Sequence, residues 1–185
     1  MQVALVERAR AGDEEAFASL ARAAGDRLLS IAYRILRDLG LAEDAVQQTL
    51  VLAWRELSSL RVVDRFDAWL HRLLVNACYR EARRSRSWAD NIRILPLDQP
   101  ERSDDYLSVV ERDQLERGFR RLPPEQRAVF VFHHHLGLTL LEIADQLGVP
   151  LGTVKSRLHY ATNTLRAALE ADLRSPTDTT REHMA

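Results

Sequence analysis

The strongest constraint on the fold is the distribution of proline. None occurs between Asp13 and Arg86, and the apolar residues of that segment recur at helical intervals. Such spacing is typical of amphipathic helices, which proline would interrupt. No segment shows a strand-like alternation of any length. The sequence therefore predicts an all-α protein.

Three helices are predicted in this segment. The first starts near Asp13, an N-cap residue type, and either runs on towards Leu36 or breaks at Gly25, and Gly40 ends it. The second covers about 42–57 and the third about 64–86. The buried face of the second helix is predicted to carry Val46, Leu50, Ala53, Trp54 and Leu57. Its outer face is predicted to carry Asp44, Gln47, Gln48, Val51 and Arg55.

The character of the chain changes after residue 86. Pro96, Pro100 and an acidic bias indicate a linker over 87–105, and helical spacing returns near Tyr106. The polar residues over 173–185 predict a disordered tail. We therefore expect two helical domains, 1–86 and 106–172, joined by a flexible linker.

The formal net charge of −1 hides a segregation of charge along the chain. Seven basic and three acidic residues give +4 over 61–86, and three basic and eight acidic residues give −5 over 87–116. Three basic residues without any acid give +3 over 150–166. Two basic patches around an acidic stretch indicate a polyanion bound at two places, although ordinary fluctuation of charge explains the same pattern.

Composition excludes several classes of protein. The single cysteine, Cys78, permits neither an intrachain disulfide nor a cysteine-based zinc site. No stretch approaches the roughly 20 apolar residues of a membrane helix, and Glu7 and Arg8 interrupt any signal-peptide pattern. We therefore expect a cytoplasmic protein without membrane insertion.

Four consecutive signals follow in the C-terminal part. After Pro123-Pro124 comes a helix that ends in three histidines at 133–135. Residues 139–142 form a capping box that starts a short helix, 148–150 make a tight turn, and a longer helix covers about 151–169. A short capped helix, a glycine turn and a longer helix make a helix-turn-helix, whose second helix enters the major groove of DNA.

One face of that second helix is polar and free of acid. Its residues are Gly152, Lys155, Ser156, His159, Tyr160 and Asn163. The polar side chains can hydrogen-bond a base edge or a phosphate, and Gly152 allows close approach of the backbone. Arg157 lies at the rim, where a phosphate contact is natural. The alternative is a generic helical hairpin with a solvated face.

His133, His134 and His135 raise the question of a metal. Adjacent helical residues point about 100° apart, whereas helix-borne zinc pairs need a spacing of four. No carboxylate or cysteine offers a second cluster. We therefore predict a structural helix end here, with no metal site and no cofactor.

Several short strings together resemble a known family. Residues 43–49 (EDAVQQT), 66–70 (FDAWL) and 75–78 (VNAC) look like domain 2 of the extracytoplasmic-function (ECF) subfamily of bacterial RNA polymerase sigma factors. Residues 122–127 (LPPEQR), 142–144 (EIA) and 152–158 (GTVKSRL) resemble domain 4 of the same family. The resemblance implies a transcription initiation factor that catalyses nothing and binds core RNA polymerase, promoter DNA and an anti-sigma factor.

The resemblance also implies roles for residues of domain 2. The helix carrying Asp44 and Gln47, with Gln48 on the same outer face, is expected to bind the polymerase clamp. Asn76 and Arg80, one helical turn apart, match the family positions that face the melted −10 element.

The outer face of the third predicted helix is basic beyond those two positions. Arg83 and Arg84 extend the charge from Arg80, and such arginines suit the phosphates of a single strand.

For domain 4 the resemblance implies binding to the polymerase flap and reading of the −35 element as duplex. The positions of Lys155, Ser156, His159 and Tyr160 match the family's base readers. His159 and Tyr160 stand where many members carry other large or basic residues, so the preferred promoter sequence does not follow from the resemblance.

Two other interpretations remain open. A dimeric helix-turn-helix regulator that acts without polymerase would carry a similar recognition segment, but it needs a sensor or dimerisation domain that 1–86 does not resemble. A metal-dependent hydrolase built on the three histidines would need convergent carboxylates, which the sequence does not offer.

Overall fold

The computed structural model describes residues 2–91 and 115–173, with side chains described over 2–87 and 115–170. Within these ranges the chain is helical and has no strand, so the all-α prediction is confirmed. The helices are α1 Gln2–Arg10, α2 Glu14–Leu36, α3 Leu39–Glu56, α4 Phe66–Asn91, α5 over residues 115–121, α6 Pro124–His134, α7 Leu140–Leu147 and α8 Leu151–Leu173. Short 3-10 turns occupy Leu57–Ser59 and Val63–Arg65. Most of the predicted linker, the predicted helical residues 106–114 and nearly all of the predicted tail lie outside the described residues.

The start of α2 was predicted from its cap. The Asp13 carboxylate accepts a hydrogen bond from the Ala16 backbone N–H at 3.0 Å. This satisfies one of the free N–H groups of the first turn, and the pKa of Asp13 is lowered because its charged form accepts that bond. The helix then runs through Gly25 without a break.

The prediction that Gly40 ends this helix is wrong. Helix α2 ends at Leu36 because Arg37 takes a left-handed conformation with φ of 58°. Asp38 then caps α3 by accepting from the Leu41 N–H at 2.9 Å. Gly40 therefore lies in the first turn of α3, which starts before the predicted residue 42.

The buried face of α3 also differs from the prediction. The residues that are buried in α3 are Ala42, Ala45, Thr49 and Ala53. Val46 and Leu50 are half-buried and Trp54 is 38% exposed. Small residues face inward because α3 packs against both α2 and α4, and small side chains permit close approach. Thr49 fits there because its hydroxyl donates to the Ala45 carbonyl at 2.7 Å.

Helix α1 was not predicted. It has no acidic residue in its first turn, and its only buried residues are Val6 and Ala9. With so short an apolar face its stability comes from packing on α2, which spacing along the sequence does not reveal.

Helix α4 carries a buried carboxylate. The side chain of Glu81 is 3% exposed and accepts a hydrogen bond from the Gln48 amide of α3. The Arg84 guanidinium lies 3.7 Å from the same carboxylate. This bond joins α3 to α4 across 33 residues of sequence.

The two halves of the described chain share one apolar core. We call α1–α4 the N-terminal unit and α5–α8 the C-terminal unit. Helix α6 packs on α2 and α4, and α7 packs on α4. Fully buried side chains such as Leu28 and Leu74 of the first unit belong to the same cluster as Phe132 and Ile143 of the second. A smaller cluster around Leu122 and residues 161–165 lies within the C-terminal unit.

We predict that Gln48→Ala lowers the free energy of unfolding by about 1–3 kcal/mol, because a buried carboxylate loses its hydrogen-bond donor. Gln47→Ala, one residue away on the exposed side of α3, is the matched control and should stay within about 0.5 kcal/mol of wild type. Urea unfolding followed by circular dichroism measures both. Equal stability of the two variants would contradict the structural role of Gln48.

Candidate nucleic-acid interface

The helix-turn-helix forms as the sequence predicts. The Glu142 N–H donates to the Thr139 hydroxyl at 3.3 Å, and the Thr139 N–H donates back to the Glu142 carboxylate at 2.8 Å. The pKa of Glu142 is lowered because the Thr139 hydroxyl also donates to its carboxylate. This reciprocal box fixes the start of α7.

The turn between the two helices depends on a glycine. Gly148 has φ of 65°, a left-handed conformation that side chains other than glycine seldom adopt. Its N–H bonds to the carbonyls at the end of α7, and the Val149 N–H bonds to the Ala144 carbonyl at 3.1 Å. The turn closes α7 and sets the direction of α8, which begins after Pro150.

The polar face of α8 points away from the core. Lys155, Ser156, His159 and Tyr160 are exposed, Tyr160 by 60%, while Val154 on the opposite face is fully buried. The predicted inner and outer faces of this helix are therefore present in the structure, although the role of the outer face in DNA binding stays a prediction.

The side chains of this face contact one another and the backbone of α8. The rings of His159 and Tyr160 meet edge to face at 5.9 Å, and the Asn163 amide lies 2.9 Å from His159 Nε2. The Ser156 hydroxyl donates to the Thr153 carbonyl at 3.0 Å and keeps its lone pairs for other partners. Around Gly152 a Cβ atom would meet nothing within 4 Å, so the helix start is open to an approaching backbone.

Arg157 is placed differently from the rest of the predicted set. It is half-buried and faces Tyr79 of α4, where its positive charge opposes the rise in the Tyr79 pKa that burial causes. The Tyr79 hydroxyl is buried and has no hydrogen-bond partner within the described ranges. The rim position expected of Arg157 is therefore covered by α4 in this arrangement.

Helix α4 presents a second polar face. Asn76, Arg80, Arg83 and Arg84 are all exposed along it. One side of the same helix is buried in the core at Leu70, Leu74 and Cys78. Burial raises the pKa of the Cys78 thiol to about 12, so this cysteine is an unreactive core residue.

Helix α3 exposes a mixed polar and apolar stripe. Asp44 and Gln47 are exposed, whereas Gln48 is half-buried and bonded to Glu81. Val51, 46% exposed, and Trp54 continue the stripe at helical spacing. The outward position of Val51 was predicted, but that of Trp54 was missed because its spacing suits the inner face equally well. Trp54 instead lies against Phe17 of α2, with ring centroids 5.0 Å apart.

The three histidines of α6 have local contacts. His133 Nδ1 lies 2.9 Å from the Leu138 carbonyl, and the His134 ring lies 4.3 Å from that of Phe130. Among the described side chains, no group of three or more histidine, cysteine or acidic residues is arranged to hold a metal ion. Nor does any helix in the described ranges have the length and apolarity needed to cross a membrane.

Fold and surface together define a protein of two units that is helical throughout the described ranges, with a helix-turn-helix in its second unit. The family model for Sigma-70 region 2 matches residues 20–88, and that for Sigma-70 region 4 matches residues 112–165. The ECF RNA polymerase sigma factor SigM of Mycobacterium tuberculosis is 36% identical over 148 residues, which cover 80% of this chain and 74% of SigM. SigW of Bacillus subtilis, also an ECF sigma factor, is 25% identical over 176 residues, or 89% of this chain and 94% of SigW.

Two solved structures are similar to the whole fold. CnrH, solved in complex with the cytosolic domain of CnrY, has a TM-score of 0.64 at 26% identity, covering 92% of this chain and 98% of CnrH. RpoE of Bartonella quintana, solved with the anti-sigma factor NepR, has a TM-score of 0.62 at 26% identity, covering 80% of this chain and 92% of RpoE.

The chain belongs to the ECF subfamily of bacterial RNA polymerase sigma factors. It is thus a promoter-specificity factor of transcription and not an enzyme.

Proposed function

We propose that this sigma factor reads two promoter elements by different chemistry, the −35 element as duplex through α8 and the melted −10 element as single strand through α4. The observation that carries the proposal is the presence of two separate exposed polar faces, one on each unit. The first consists of Lys155, Ser156, His159 and Tyr160, and the second of Asn76, Arg80, Arg83 and Arg84.

The face on α8 suits duplex DNA. It lies on the second helix of a helix-turn-helix, the element that enters the major groove in this motif. The ammonium of Lys155 is a donor for guanine, and His159 and Ser156 can donate or accept at base edges.

The face on α4 suits an unpaired strand. Three arginines spaced along one helix can hold successive phosphates, and the amide of Asn76 can pair with the edge of an extruded base. Cationic side chains beside an amide meet both needs of single-strand recognition.

Helix α3 is the proposed contact with the polymerase clamp. Asp44 and Gln47 offer charge and hydrogen bonds, and the exposed apolar surface of Val51 and Trp54 adds the area that a protein partner can bury.

We propose the flap of the polymerase as the partner of the C-terminal unit. We also propose an anti-sigma factor as a regulatory partner, since RpoE was solved with one.

The domain boundaries are proposed to be 1–86 for domain 2, 87–105 for a flexible linker, 106–172 for domain 4 and 173–185 for a tail. The protein would act in the cytoplasm, where polymerase and DNA meet.

Run-off transcription with core polymerase on a library of randomised promoters tests the proposed reading of the promoter and returns both recognised elements. A library without any enriched promoter would refute it.

Asp44→Ala and Gln47→Ala are expected to weaken binding to core polymerase without changing the fold, because both side chains are exposed on the proposed clamp surface. Glu14→Ala, an exposed carboxylate on α2, is the control and should bind as wild type does. Fluorescence titration against core polymerase measures all three. Unchanged affinity for both α3 variants would remove this surface from the polymerase contact.

Lys155→Ala and His159→Ala are expected to relax base preference within the −35 element, since a base contact is worth about 1–3 kcal/mol against the wrong base. Arg157→Ala should instead weaken binding evenly across sequences and reduce the salt slope by about one, as a phosphate contact does. Selection from a promoter library at two salt concentrations compares the variants. Base preferences identical to wild type in the Lys155 and His159 variants would show that these side chains do not read the element.

Asn76→Ala is expected to impair opening of the −10 element while sparing polymerase binding, because the exposed face of α4 loses an amide whose hydrogen bonds offset the cost of unstacking a base. Opening should recover on a template that is already mismatched at this element. Permanganate footprinting, normalised per bound complex, measures opening on both templates, with Glu14→Ala on α2 as the control. Wild-type opening of the duplex by the Asn76 variant would exclude it from the site.

A further inference from the structure

The contact between the two units has an ionic periphery around the apolar core that the units share. Arg65 Nη2 lies 2.7 Å from Asp145 Oδ2, which joins the turn before α4 to α7. At the other end Arg37 Nε donates to the Glu116 carboxylate at 2.9 Å and joins the end of α2 to α5. Both pairs connect residues that lie far apart in sequence and belong to different units.

Two arginines of the N-terminal unit also contact the C-terminal unit by packing. The Arg37 guanidinium lies 5.7 Å from the ring centroid of Phe119 on α5. Arg72 of α4 lies against the turn of the helix-turn-helix, where a Cβ on Gly148 would come within 3.0 Å of its Nη2 atom. The left-handed conformation of Gly148 disfavours any residue with a side chain at this position. The Arg72 guanidinium occupies the space beside the glycine.

The centre of the contact holds an unpaired histidine. His71 of α4 is 8% exposed, and neither ring nitrogen has a hydrogen-bond partner within the described ranges. Its ring lies 5.7 Å from that of Phe132 on α6. The buried Gln146 Oε1 atom on α7 likewise has no hydrogen-bond partner in the part of the chain that is described. Buried polar side-chain atoms are usually paired, so this part of the interface is poorly satisfied.

The surroundings of His71 penalise a positive charge. Arg27 of α2 and Asp67 of α4 are the charged groups that face it, and they pair with each other at 2.6 Å. Helices α6 and α7 present the neutral Phe132 ring and the Gln146 amide. Burial first, and then the charge of Arg27, lower the pKa of His71 below its ordinary value of 6.5, while Asp67 and the neighbouring Gln146 side chain act in the opposite direction.

We propose that this interface holds the free sigma factor in a closed, autoinhibited state, and that protonation of His71 releases it. We call it the closing interface. Its residues are Arg37, Arg65, His71 and Arg72 of the N-terminal unit and Glu116, Phe119, Phe132, Asp145, Gln146 and Gly148 of the C-terminal unit.

The closed state is inhibited because it is too small to reach both elements, a step that rests on the proposed function. The −35 and −10 elements lie roughly 25 base pairs apart, which is on the order of 80 Å of duplex at 3.4 Å per base pair. A closed chain of 185 residues has a radius of gyration of about 16 Å. The units must separate before α8 and α4 engage their elements together, and separation also frees Arg157 from Tyr79.

The direction of the pH effect follows from linkage. In the open state the His71 side chain loses its contacts with α6 and α7, so its pKa returns towards the ordinary value of 6.5, whereas the closed state holds that pKa lower. The open state therefore binds the proton more tightly. Above about pH 6.5 His71 is neutral in both states, so protonation does not oppose closure there. Below that value the ratio of open to closed chains rises by up to about tenfold per pH unit, until the closed-state pKa is passed.

Intramolecular energy transfer tests the proposal on the full chain. Dyes are attached through Ala4→Cys on α1 and Ala167→Cys on α8, both exposed, in a Cys78→Ala background. Transfer efficiency is followed from pH 8 to pH 5.5 in wild type and in Asp145→Asn, which loses one ionic contact and raises the open fraction. Efficiency should fall as pH drops below about 6.5. A transfer efficiency that stays constant with pH in both wild type and Asp145→Asn would overturn the proposal.

His71→Phe keeps an aromatic ring against Phe132 but cannot take up a proton, so it should stay closed at every pH. His71→Gln replaces it if the Phe variant does not fold. His134→Gln is the control and should retain the transition. His135→Gln is measured as well, because the pKa of His135 is lowered by burial and by Arg34 of α2. If the transition disappears with His135→Gln and persists in the His71 variants, His135 and not His71 is the titrating group, and the proposal is wrong.

Binding to core polymerase separates this proposal from the proposed function. At pH 8 wild type and His71→Phe should bind at equal rates, and at pH 6 wild type should bind faster. If energy transfer shows the opening but neither protein binds polymerase, the proposed function fails and the switch stands. If polymerase binds both equally at pH 6 although only wild type opens, closure is not inhibitory and the proposal is wrong.

Discussion

The structure depends on the burial of helix α4 from several sides at once. One side of it packs into the core of the N-terminal unit, and another side contacts α6 and α7 of the C-terminal unit. The remaining strip carries Asn76 and a row of arginines that stay exposed. A helix packed this tightly presents its exposed groups in a fixed register, which recognition of an unpaired strand requires.

The helix-turn-helix shows a second way to fix a functional face. Its geometry is set by the reciprocal bonds of Thr139 and Glu142 and by the left-handed Gly148, all within ten residues of sequence. Val154 and Ala161 then anchor α8 on one side, and Lys155 and Tyr160 are turned outward as a consequence. The outward face of α8 is therefore determined locally, and only the packing of this helix against the other unit needs long-range contacts.

The contact between the units combines an apolar part, which belongs to the core of the N-terminal unit, with a polar part. Its periphery is ionic and partly solvated, and exposed ion pairs contribute little to stability. Its centre contains polar atoms without partners, including both ring nitrogens of His71. These polar features make the contact weaker than a wholly apolar contact of the same extent.

The sequence by itself determined the all-helical class, the cap at Asp13, the helix-turn-helix and the outward face of α8. These features arise from bonds between residues a few positions apart, so spacing and residue type suffice to predict them. Only the tertiary structure decided that α3 buries its alanines and exposes Trp54, that Gln48 is bonded to Glu81, and that Arg157 faces Tyr79. Those outcomes depend on which helices meet and how closely, and small or amphipathic side chains fit either side of a helix until a neighbour is in place.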